Sequence, residues 1–84
     1  MNYTVTYLPA AEQELTSLWL DSSRRSSVTR AVHLLDQELG RDPEQVGESR
    51  PDGTRIHFSS PLGVLFRFSS ADRLVQVIHI WEFE

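Results

Sequence analysis

An α+β domain with the element order β-α-α-β-β-β is what this 84-residue chain predicts, and three stretches carry the expectation. Asn2 to Leu8 alternates Tyr3, Val5 and Tyr7 with Asn2, Thr4 and Thr6, which is the period of a half-buried strand. Two runs between Ala11 and Leu39 repeat apolar residues at helical spacing. From Pro61 to Glu84, two apolar runs rich in β-branched and aromatic residues flank a polar turn, the pattern of a hairpin. Two closely joined helices form an antiparallel pair whose apolar stripes need a sheet beneath them. The helices therefore pack on one face of a mainly antiparallel sheet and leave the other face open.

Each element has its own justification. Pro9 sits where a helix begins, since its missing amide is not needed there, and Glu12 and Glu14 fall where the helix dipole favours acids. Ala11, Leu15, Leu18 and Trp19 form one stripe, and this first helix runs to about Asp21. Ser22 and Ser23 are placed to cap a second helix, with Arg24 and Arg25 in its first turn. Its apolar face is Val28, Ala31, Val32, Leu35 and Leu39, and Gly40 with Asp42-Pro43 supplies the stop. Pro43 to Thr54 is turn chemistry and reads as a loop. Arg55 to Ser59 is a short strand with Ile56 and Phe58 opposite Arg55 and His57, and Ser60-Pro61 turns it into the hairpin. In the last strand strict alternation places Val75, Val77, His79, Trp81 and Phe83 on one face, with Leu74, Gln76, Ile78 and Ile80 on the other. Both faces are apolar enough to need cover.

Composition narrows the function classes. The chain spans 1–84 as a single domain with no cysteine, which removes disulfides and thiolate metal sites and fits a reducing, cytoplasmic setting. No leader-like start and no stretch of membrane-spanning length is present, so no membrane association is expected. A net charge of -4 argues against nucleic-acid binding by broad charge attraction. The excess acid lies before residue 50, and the strand-rich remainder is balanced.

Several segments in order resemble the RelE/ParE superfamily of bacterial toxins from type II toxin-antitoxin modules. They are YTVTYLPAAEQEL at the start, LDQELGRDP closing the second helix, GES ahead of Arg55, and the hairpin PLGVLFRFSSADRLVQVIHIW. The resemblance covers nearly the whole chain. It implies a growth-inhibiting toxin neutralised by a cognate antitoxin that wraps it. Two targets follow from the two branches: RelE-like members resemble ribosome-dependent mRNA endonucleases, and ParE-like members poison DNA gyrase by binding. The nuclease set transfers poorly. Gly63 stands where a catalytic arginine would be, Glu82, Phe83 and Glu84 stand where a base or arginine would be, and there is no lysine. The ParE-like reading is therefore preferred, with the ribosome-directed nuclease and an inactivated relative as alternatives.

If RNA is cut, a base, an acid and a cation must converge on one phosphate. The groups on offer are Arg55, Arg67, His57 and His79, and Arg55 and His57 share a strand face. His79 also fits a histidine held between Val77 and Trp81 by a neighbour, while His33, Arg24, Arg25 and Arg50 fit solvated positions. For the binding reading the partner surface is the strip Val75, Val77, His79, Trp81 and Phe83, which would close on an antitoxin or, in its absence, on a second copy in a homodimer. No residue pattern calls for a cofactor or a metal.

Overall fold

The structure, a computed structural model, describes residues 2–83. The chain order is β1 (Thr4–Tyr7), α1 (Pro9–Asp21), α2 (Arg25–Arg41), β2 (Glu48–Ser49), β3 (Arg55–Ser59), β4 (Leu62–Ser69) and β5 (Leu74–Glu82). The strands form one sheet in the order β1-β5-β4-β3-β2. β1 runs parallel to β5 and the other three pairs are antiparallel. The result is an α+β fold with a mixed, mainly antiparallel sheet.

The core lies between the sheet and the helices. Ala11 and Leu15 from α1, and Val28, Ala31, Val32, Leu35 and Leu39 from α2, close on Leu62, Val64, Phe66, Val75, Val77 and Ile80. The periodic stripe of α2 is thus the buried stripe. In the last turn of α1 cover runs out: Leu18 is half-buried, but Trp19 is 42 % exposed and does not join the core.

Local chemistry departs from expectation in four places. The segment Pro43 to Thr54 is not all loop, because Pro43–Gln45 forms a 3₁₀ turn and β2 pairs with β3. Gly47 makes that pairing feasible: its φ is +74°, and a Cβ there would run into the Ile56 carbonyl. Ser22 and Ser23 do not cap α2, which starts on Arg24 without a side-chain cap. The Ser22 hydroxyl instead accepts the Arg24 amide and donates to Glu82. Gly40 is not the stop but lies inside α2, where its carbonyl accepts the Tyr3 amide and so ties β1 to the helix. Finally, Arg24 is not simply solvated. Its Nε and Nη2 hold Glu82, and Nη2 also donates to the Phe83 carbonyl, so the helix-helix turn is latched to the end of β5.

The last strand contains the decisive irregularity. Phe66 pairs with Val77 and Leu65 with His79, so Ile78 has no partner on β4 and forms a bulge. One extra residue reverses the side to which every later side chain points.

Candidate functional site

The register defines both faces of the sheet. On the helix side lie Val5, Tyr7, Arg55, His57, Leu62, Val64, Phe66, Phe68, Val75, Val77, Ile80 and Glu82. The open side carries rows across the strands: Phe58, Gly63 and Trp81; Ile56, Leu65 and His79; Arg67, Gln76 and Thr6. The expected five-residue strip is therefore corrected. Val75 and Val77 are fully buried under the helices, while His79 and Trp81, which follow the bulge, face away from them.

The open face is aromatic at one end. Trp81 lies flat over Gly63, where a Cβ would sit 2.6 Å from the indole Cε2. Glycine in a strand weakens it unless something covers the backbone, and here the indole is that cover. Phe58 meets Trp81 edge-on at 6.2 Å between centroids and Phe83 at 5.4 Å. Such contacts each add about 0.5–1.5 kcal/mol beyond area burial. Phe58 nevertheless remains 54 % exposed, which makes the cluster a surface and not a second core. Sequence reasoning passed over Phe58 as a site residue. Its only signal was alternation with His57 in RIHFS, which says that it faces away from His57 but not which side is covered.

The four nuclease candidates do not converge. Arg55 and His57 share a face as expected, but it is the covered one. Arg55 donates to the carbonyls of Val46 (3.0 Å) and Gly47 (3.0 Å), and His57 Nε2 lies 3.2 Å from Glu38 of α2. Arg67 and His79 are on the open face. Arg67 Nε donates to Gln76 at 2.9 Å, and His79 Nδ1 lies 3.1 Å from Glu14 of α1. Each group has a local partner, and the set is divided between two sides of a sheet.

Glu14 does more than meet His79. β1 covers β5 only as far as Val77, so the outer edge of β5 beyond it would present bare backbone. One Glu14 oxygen accepts the Ile80 amide at 2.9 Å and caps that edge. Glu14 was expected only to complement the helix dipole, and nothing in a linear reading links it to residue 80.

Elsewhere, Tyr7 donates to Asp36 at 2.8 Å, and burial first, then that carboxylate, push its hydroxyl well above the usual tyrosine range. Asp52 is held below the usual carboxylate range by accepting the Thr54 hydroxyl and amide. Among the described residues there is no cluster of three or more histidine, cysteine or acidic side chains able to hold a metal, and no helix is long and apolar enough to cross a membrane. Of the C-terminal residues that replace the nuclease base, Glu82 is spent on Arg24, Phe83 on the aromatic cluster, and Glu84 lies outside the described residues.

A mixed five-stranded sheet with a two-helix layer on one face defines the class, an α+β domain whose other sheet face is open and aromatic at one end. Two solved structures share the fold over 98% of this chain. One is a chain of the RelBE2 toxin-antitoxin complex from Mycobacterium tuberculosis, 21% identical, with a TM-score of 0.82, covering 98% of this chain and 99% of that one. The other belongs to the chromosomal ParDE toxin-antitoxin system from P. aeruginosa, 18% identical, with a TM-score of 0.59, covering 98% and 97%. No protein-family model and no curated protein matches the sequence. The fold is that of the matched chains of these two toxin-antitoxin systems.

Proposed function

We propose that this protein is the toxin of a toxin-antitoxin module, and that it acts by occupying a large target such as DNA gyrase and not by cutting RNA. The full-length likeness to chains of two toxin-antitoxin assemblies supports the first half. The second half rests on one observation: Arg55 and His57 lie on the covered face, Arg67 and His79 on the open one, so no base, acid and cation meet at one phosphate. Gly63 adds to this, since an arginine there would have to displace the Trp81 ring. In this reading the antitoxin segment docks on Phe58, His79, Trp81 and Phe83, and the free protein shields the same patch by forming a homodimer.

A second reading, the ribosome-dependent nuclease, has one observation in its favour. The backbone is nearer to the RelBE2 chain than to the ParDE chain. Backbone shape positions a site without supplying its chemistry, so the placement of side chains weighs more here. Expression without the antitoxin tests both. The expected outcome is growth arrest with gyrase-dependent DNA breaks, undiminished in Arg67→Ala and His79→Ala variants. Cleaved ribosome-bound messages, together with a loss of about a hundredfold in Arg67→Ala, would establish the nuclease instead. Unaffected growth with abundant soluble protein would identify an inactivated relative.

A further inference from the structure

The outer surface of α2 carries a feature that the toxin reading does not use. Arg25, Ser26, Thr29, Arg30, His33 and Leu34 line one shallow groove, and all six are exposed. They fall into two rows of four-residue spacing, Arg25-Thr29-His33 and Ser26-Arg30-Leu34, which are the ridges between which an incoming helix seats its own ridge. Leu34 is 45 % exposed at the end of one row. The groove contains two arginines and a histidine and no carboxylate, although the chain as a whole carries a net charge of -4. Arg25 uses Nη2 on the Leu20 carbonyl, which fixes the arm and leaves the rest of its guanidinium fork to other acceptors.

We propose that this groove is a docking site for an acidic amphipathic helix of another protein. Its carboxylates would meet Arg25 and Arg30, and an apolar residue of its ridge would rest on Leu34. Charge complementarity selects an acidic occupant, and the paired ridges select a helical one. The stripe spans nine residue steps, about 13 Å or two and a half turns, which matches a short helix. A nucleic-acid backbone satisfies the arginines but has no use for the exposed leucine at the end of one row. Because α2 and the aromatic patch lie on opposite sides of the sheet, both can be occupied together, and the groove is independent of whether the protein is a toxin.

The test uses the full chain, isotope-labelled, and three probes: an 18-residue amphipathic helix with glutamates flanking a leucine ridge, the same peptide with lysines in their place, and a single-stranded oligonucleotide. The acidic peptide should shift amide resonances within residues 25–34, gain helicity, and bind more weakly as salt rises. Arg30→Glu and Leu34→Ser, both at exposed positions, should each weaken it by about tenfold or more while the rest of the spectrum is preserved. Equal binding of the lysine peptide would reduce the groove to unspecific apolar adhesion. Preference for the oligonucleotide, shifts confined to the open face, or no binding at all would each overturn the proposal.

Discussion

Gly63 is a glycine because Trp81 occupies the space its side chain would fill. Gly63→Ala should force the indole aside, costing about 1–3 kcal/mol as an overpacked contact does and moving the Trp81 and Phe58 ring resonances. A variant as stable as the parent with unchanged rings would mean that the indole is not held there. Tyr7 gives a pH prediction at the same scale. Its ordinary value of 10.0 is raised in the fold, so the neutral hydroxyl is the favoured form; its contribution is complete below pH 10 and is lost as pH climbs towards the higher folded value. Alkaline denaturation should therefore show a limb above pH 10 that is shallower in Tyr7→Phe; equal limbs would locate the alkaline sensitivity elsewhere. Residue identity conveyed much of the core in advance: Val28, Ala31, Val32, Leu35 and Leu39 were read from helical spacing and are all buried. It could not convey Gly63 and Trp81, whose relation exists only across strands.

Among the elements, α1 and α2 were legible because each carries one periodic stripe and a proline or aspartate-proline boundary. β5 was legible as a strand but not as a surface. Strict alternation over Leu74 to Phe83 joins Val75 and Val77 to Trp81, and a single unpaired Ile78 separates them. No residue type marks that bulge, since Ile78 is as good a strand former as its neighbours. The parallel pairing of β1 was equally hidden, and with it the unpaired edge that Glu14 covers. Glu14→Ala should leave the Ile80 amide without its acceptor, costing about 1–3 kcal/mol and speeding hydrogen exchange at residue 80 more than at Val75 or Val77. Uniform exchange along β5 would show that the carboxylate is not an edge cap.

For the molecule as a whole, 84 residues leave little margin, since domains of this size bury a modest share of their surface. In the proposed reading, an occupant of the aromatic patch would therefore support the fold as well as govern activity. Partner at about a hundred times its dissociation constant adds roughly 2.7 kcal/mol of apparent stability. At about 4–8 °C per kcal/mol for a domain this small, the melting temperature should rise by at least 10 °C. A Phe58→Ser variant should melt lower on its own, having lost its edge-on contacts with Trp81 and Phe83, and should lose most of the partner-dependent rise measured from its own free form; an undiminished rise would place the partner elsewhere. The bulge, finally, bears on how such a chain can change length. Removing one residue from a central strand ordinarily turns its remainder inside out, yet Ile78 stands just past the end of β1 and opposite no residue of β4. Its deletion would let Val77, His79, Ile80 and Trp81 alternate strictly while keeping the sides they now occupy. A chain lacking Ile78 should accordingly fold with Trp81 still stacked on Gly63, whereas a chain lacking Gln76 should not. Relatives of this fold can thus differ by a residue here and still superimpose, so that an alignment without a gap at this point would pair outward residues with inward ones.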